Sequence, residues 1–209
     1  MNQKEKTQIS YNKILNAAIA EFGTHSYESA SINTMCSENH ISKGLIYHNF
    51  KNKDELYLRC VEVCFNKITS YLSSAQYESE DARENVHQLL SLRQHFFEEN
   101  PYLCNIFFHA VLNPPKHLLQ QIREIRHGFD EFHTVRYREL LNEVELRDGI
   151  TVEMATEYFF AFQEMFNNYF QNQVCKTTDF ISLVEDHEIQ LSNLINIMLY
   201  GIAKENPTL

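Results

Sequence analysis

Apolar residues recur at helical spacing along almost the whole chain. Tyr11, Leu15, Ala18 and Phe22 are spaced 4, 3, 4, which is one face of a helix. A short element follows from Ser31, a good N-cap residue, with Ile32, Met35 and Cys36 on its inner side. A third starts at Ser42, with Ile46 and Phe50 one turn apart. A long fourth starts after Asn52, where Asn52 and Glu55 resemble a capping box, and carries Leu56, Cys60, Val63, Ile68 and Leu72. Asp81 and Glu84 suggest another cap, opening a helix that runs toward Pro101. Residues 101–112 read as a short aromatic helix, which Asn113-Pro114-Pro115 breaks. The next carries Leu118, Ile122, Ile125, Phe129 and Phe132 and ends at Arg147-Asp148-Gly149. Residues 151–175 and 179–204 complete about nine helices. No segment alternates as a strand would, and there is no internal repeat.

Composition agrees with few, long helices. Gly and Pro together are 9 of 209 residues, about 4%, against an average near 12%. Sandwiches, barrels and doubly wound sheets need more turns than that. No run of 18 apolar residues is present, so no membrane span is expected, and MNQKEKTQIS lacks the apolar segment of a signal peptide. A cytoplasmic chain is the expectation. Cys36, Cys60, Cys64, Cys104 and Cys175 make an odd number with no CxxC pair, which fits reduced, mostly buried thiols.

The formal charge of −10 argues against a chain that coats nucleic acid, until it is divided. Residues 1–60 carry seven basic and six acidic side chains, and residues 61–209 carry eleven and twenty-two. Residues 42–53 hold three Lys, one His and no acid. Within Ser31–Lys53, two short helices are joined by a turn at Asn39-His40-Ile41, the layout of a helix-turn-helix. On a wheel of the second helix, Ile46 and Phe50 point inward. Gly44, Leu45 and His48 point out, with Lys43 and Tyr47 on the flank. Gly44 lets the helix approach a partner surface closely, and the helix N-terminus suits a phosphate. Lys53 adds a second such point.

These residues resemble the N-terminal domain of the TetR (tetracycline repressor)/AcrR family of bacterial transcriptional regulators. The likeness lies in ILNAA…F of the first helix, an approximate SINTMC, and ISKGLIYHNFKNKDEL across the second helix of the motif. It covers about residues 10–57. The resemblance implies a role for each matching residue. Ser31 caps the second helix and touches a phosphate, and Asn33 contacts the backbone or a base. Lys43, Gly44 and Leu45 meet base edges in the major groove. Tyr47 and His48 bond phosphates, and Lys53 clamps one. Phosphate contacts set register, while groove contacts set sequence. Three positions depart from the family. Leu45 stands where a small polar residue is common and can only pack on a thymine methyl. Ser26 and His40 stand where Gly is usual. A left-handed backbone at His40 carries some strain.

The resemblance further implies a three-helix DNA-binding domain over 1–57, followed by a helical ligand-binding and dimerisation domain over 58–209. In the family the effector pocket lies between helices five to eight. YFFAFQEMFNNYF, residues 158–170, is apolar nearly all round and should be buried centrally. The candidate pocket residues are Phe107, His109, Phe129, His133, Phe162, Gln163, Phe166 and Asn167. An aromatic lining favours an apolar or planar effector, although core packing explains the same aromatics. Leu191, Leu194, Ile195, Met198, Leu199 and Ile202 form a wide stripe on the last helix. In the family the last two helices join a twin in a homodimer, which matches a palindromic DNA operator.

Cys60 and Cys64, His127 and His133, and His87 and His95 repeat no metal-ligand spacing. Paired carboxylates, a phosphate-binding Gly loop and a nucleophile elbow are absent. No cofactor, no metal and no enzymatic activity are expected. The function implied is a transcriptional repressor released from a double-stranded operator by a small-molecule effector. An activator or corepressor-dependent regulator of the same family stays open, because operator position sets the sign. An all-helical binding protein or enzyme without DNA function is the alternative from another class.

Overall fold

The structure is a computed structural model, and it describes residues 3–77, 79, 82–174 and 179–202. The elements among these residues are all helices: α1 (Gln3–Thr24), α2 (Ile32–Asn39), α3 (Lys43–Asn49), α4 (Lys53–Ser73), α5 (Ala82–Glu99), α6 (Pro101–Leu112), α7 (Leu119–Glu143), α8 (Val152–Val174) and α9 (Phe180–Ile202). A single 3-10 turn, Lys116–Leu118, precedes α7 after the Pro pair. No described helix is long and apolar enough to cross a membrane. The chain packs as two units, one of residues 1–68 with 96–127, the other of 69–95 with 128–209.

The helix starts follow local chemistry. Ser31 Oγ accepts from Thr34 N–H at 3.3 Å, and Ser42 Oγ accepts from Leu45 N–H at 3.2 Å. Asn52 Oδ1 accepts from Glu55 N–H at 2.9 Å, while Glu55 reaches back to Lys51 N–H at 2.6 Å. Asp81 lies outside the described residues. α7 stops at Glu143, earlier than the sequence suggests. Gly149 still turns the chain, at φ +85, but from within an eight-residue connection.

In the first unit, Ile14, Ala18, Phe22, Met35, Ile46, Leu56 and Tyr57 are buried together with Cys60, Cys64 and Phe65. α1 and α6 pack closely where Gly23 meets Tyr102, and Asn105 Nδ2 donates to Gly23 O at 2.7 Å. Cys36, Cys60, Cys64 and Cys104 are all thiols, and burial pushes those of Cys60 and Cys64 up, out of the reactive range. Cys175 lies outside the described residues.

In the second unit, Val86, Tyr137, Leu140, Leu141, Ala155, Phe159, Leu191 and Ile195 form the core. Of the α9 stripe, Leu191 and Ile195 are buried within their own chain, Leu194 and Met198 are half-buried, and Leu199 and Ile202 have side chains outside the described set. One expectation changes here. α8 is not buried all round. Ala155, Phe159 and Phe170 face inward, but Met154, Tyr158, Phe162, Met165 and Tyr169 are exposed at 41–64%. Their spacing of 4, 4, 3, 4 places them on one stripe of the helix. A helix that is apolar on every side need not be covered on every side by its own chain.

Candidate nucleic-acid interface

The helix-turn-helix is assembled from inside outward. Ile46 and Phe50 anchor α3, at 1% and 4% exposure, and Phe50 stacks on Tyr11 of α1 at 5.4 Å. Met35 anchors α2. The turn between them runs through His40 at φ 50, ψ 49, the left-handed region. His40 and Ile41 N–H groups both bond Cys36 O, which closes the end of α2. Lys13 Nζ donates to His40 O at 3.4 Å, and Asn39 Nδ2 donates to Met35 O at 3.0 Å. A histidine thus holds the turn that glycine would hold without strain.

What α3 leaves outside is a short basic face. Lys43, Gly44, Tyr47 and His48 are exposed, and Leu45 is half-buried beside them. A Cβ built on Gly44 would meet nothing within 4 Å. The fold itself therefore gives no steric reason for a glycine there. Asn33 is exposed on α2, and Ser31 is half-buried, with its N–H donating to Glu21 Oε1 at 2.6 Å. Asn49, also half-buried, turns its amide onto Leu45 O at 2.8 Å.

Lys53 behaves differently from the others. Its Nζ donates to Ala30 O at 2.7 Å and sits 4.6 Å over the Tyr27 ring. The sequence suggests an arm extended to a phosphate, but here the ammonium ties the start of α4 to the segment that leads into α2. The reason is local: Ala30 O lies just outside the Ser31 cap and is not taken by a helix.

Tyr27, Asp54 and His117 form a cluster that sequence reasoning missed. Tyr27 OH donates to Asp54 Oδ1, and His117 Nε2 lies 3.2 Å from the same oxygen. The Tyr27 hydroxyl bond outweighs burial and, with His117, lowers the Asp54 carboxyl. Burial and that carboxylate together push the Tyr27 phenol up to about 12. These partners are 27 and 63 residues apart in sequence, so no spacing rule finds them.

The candidate effector residues do not fall in one unit. Phe107 packs with Phe65, Phe97 and Phe108 in the first, where His109 also lies, half-buried with its imidazole pKa lowered by burial. Phe129, His133, Phe162, Gln163, Phe166 and Asn167 lie in the second. Phe162 is 45% exposed on the outer stripe of α8 and does not serve as a wall there, because its helix turns that face to solvent. Gln163 is half-buried.

His133, Phe166 and Asn167 point to something more specific. His187, 2% exposed, lies between the Phe166 and Phe170 rings at 4.8 and 4.9 Å. Its Nε2 is 3.1 Å from Asn167 Oδ1 and its Nδ1 is 3.0 Å from Glu188 Oε1. Arg93 Nη2 is 3.1 Å from that same Glu188 oxygen. Burial, then the nearby Arg93 guanidinium, push His133 down to about 4, and both also depress His187. Burial alone would raise Glu188, but Arg93 and His187 outweigh it and hold the carboxyl below its ordinary value. A signal for this cluster existed in the sequence. Arg93 falls on the Val86, Leu90, Phe97 row of α5, and His187 on the Leu183, Leu191, Ile195 row of α9.

Comparisons with known proteins agree with the fold and the motif. Residues 14–60 match the sequence profile of the family described as bacterial regulatory proteins, tetR family. The chain is 25% identical over 130 residues to the negative transcriptional regulator IcaR of the biofilm operon icaADBC of Staphylococcus epidermidis, covering 62% of this chain and 66% of that protein. It is 29% identical over 73 residues to the transposon Tn10 TetC protein of Escherichia coli, covering 35% and 37%. The chain thus spans less than two thirds of either curated relative. Among solved structures, FadR from Bacillus subtilis, in complex with stearoyl-CoA, superposes with a TM-score of 0.65 at 19% identity, over 92% of this chain and 99% of that one. SmeT, the repressor of the Stenotrophomonas maltophilia efflux pump SmeDEF, superposes with a TM-score of 0.59 at 18% identity, over 95% and 92%.

Proposed function

We propose that this chain, whose residues 14–60 match the tetR family of bacterial regulatory proteins, is a dimeric, effector-responsive repressor of that family that binds a palindromic operator through its helix-turn-helix. Residues 1–57 read DNA, and residues 58–209 take up the effector and form the dimer. Lys43, Gly44 and Leu45 approach base edges. Tyr47, His48, Ser31 and Asn33 fix the phosphates, and Lys53 joins them by leaving the Ala30 carbonyl. The dimer buries the outer stripe of α8 against a second copy. The protein acts in the cytoplasm, where its operator is. An effector shifts the operator affinity only as far as it prefers one conformation of the dimer over the other.

The observation that carries this reading is Gly44. It is exposed in a helix, with open space where a Cβ would stand, on a face that holds Lys43, Tyr47 and His48 and no acid. Glycine costs a helix up to about 1 kcal/mol relative to alanine. Gly128 and Gly201 have the same open space, so it is the basic, acid-free surroundings of Gly44 that favour close approach to a partner there. Gly44→Ala should therefore leave the melting temperature unchanged or slightly raised while operator affinity falls at least tenfold in a mobility-shift titration. Undiminished DNA affinity in Gly44→Ala would remove α3 from the groove.

A further inference from the structure

The second unit holds a polar cluster that folding alone does not require. Arg93 on α5, Asn167 on α8 and His187 with Glu188 on α9 meet among aromatic rings, and His133 on α7, bonded to its own helix at Phe129 O, lies near enough to feel the Arg93 charge. Burying an Arg–carboxylate pair is expensive, and apolar residues of the same volume often serve stability as well or better. Groups set far from their ordinary protonation behaviour, gathered at one point in an apolar body, are candidates for binding.

We propose that this cluster is the recognition point of an organic acid effector, whose carboxylate takes the place of Glu188 on Arg93. The proposal rests on the effector-responsive reading above and names the chemistry of that effector. Three observations lead to it. First, the pair is lopsided: the Arg93 side chain is 7% exposed and that of Glu188 is 25%. The guanidinium is the fixed, buried member, and the carboxylate is the one at the rim. Second, one carboxylate oxygen serves two donors, since Arg93 Nη2 and His187 Nδ1 both meet Glu188 Oε1. A ligand carboxylate at that point meets a guanidinium fork and an imidazole N–H together. Exchanging one carboxylate for another also leaves the buried charge balanced, so Glu188 can turn out to water without stranding Arg93. Third, the surroundings are apolar. Phe166 and Phe170 flank His187, and Phe129 and Phe132 lie 4.2 and 5.2 Å from His133, which suits an alkyl or aryl body.

Glu188 is then an internal competitor, and this sets the test apart from a purely structural role. The probes are octanoate and 3-phenylpropanoate, each beside its neutral primary amide, titrated by calorimetry into the full chain. At least one acid should bind ten or more times more tightly than its amide. Glu188→Gln should bind that acid about tenfold more tightly than the wild type. The double variant Arg93→Met/Glu188→Met removes both charges without stranding either, and should bind the acid no better than the amide while keeping its helical circular dichroism. Equal binding of acid and amide, no binding of any probe at millimolar concentration, or full acid affinity in the double variant would overturn the proposal. Operator binding is measured separately. A protein that binds its operator and releases it with a neutral molecule, while ignoring carboxylates, keeps the effector-responsive reading and loses this inference. A protein that never binds DNA loses the reading itself, whatever the acids do.

Discussion

Gly23→Ala is expected to destabilise the chain by about 3 kcal/mol, the upper range for overpacking a core. A Cβ at residue 23 would stand 2.5 Å from Tyr102 Cβ, 2.6 Å from its Cα and 2.8 Å from its carbonyl oxygen. None of these atoms can rotate aside, because all belong to the backbone of α6 or to the root of its side chain. Relief needs α1 and α6 to separate. That movement also stretches the bond from Asn105 Nδ2 to Gly23 O. The gain in helix propensity, at most about 1 kcal/mol, does not offset the clash. DNA binding should weaken along with stability, since α1 supports α3 through Tyr11 and the turn through Lys13. Urea unfolding followed by circular dichroism reads the effect. A Gly23→Ala protein as stable as the wild type would mean that α1 and α6 do not approach as described.

Glutamate at both Tyr158 and Met165 is expected to turn dimers into monomers and to lower operator affinity by about 100-fold or more, since linked half-sites gain that much from avidity. The two side chains are 57% and 64% exposed and lie on the same stripe as Met154, Phe162 and Tyr169. Five apolar side chains on one outer row are more than a lone surface helix needs. In a two-fold dimer the same patch meets itself, so the variant brings four carboxylates into one interface. Removing apolar contacts and adding like charges act in the same direction. Because both residues are exposed within one chain, helical content should not change. Sedimentation at micromolar concentration and an operator titration together check the result. A wild type that sediments as a monomer, or a double variant that remains a dimer with full operator affinity, would remove the stripe from the interface.

The helix-turn-helix was legible in the sequence because its determinants are local. Ser31, Ser42 and Asn52 cap helices through contacts within three residues. Ile46 and Phe50 follow from a wheel, and the left-handed turn at His40 follows from its place between two short helices. Lys53 was less legible, since its partner Ala30 is 23 residues away and only the folded chain brings that carbonyl within reach. The body was harder for a related reason. An aromatic residue at helical spacing marks an apolar face, but not whether or by what the chain covers it. Phe107 and Phe129 look alike in sequence and pack in different units. The α9 stripe and the α8 outer row are both apolar, and only packing tells which one the chain covers itself. His187 and Arg93 sit on apolar rows where a polar residue is the exception, and that exception was readable without the fold.

If the basic face of α3 binds DNA, that binding must respond to salt. The most direct measurement is the salt dependence of binding to the DNA upstream of the protein's own gene, for the wild type and for Lys43→Ala. The expected result is a retained fragment, affinity that falls steeply and log-linearly with salt, and a slope shallower by about one for Lys43→Ala. Wild-type protein that retains no such fragment at low salt, or a Lys43→Ala protein with an unchanged slope and affinity, would contradict it.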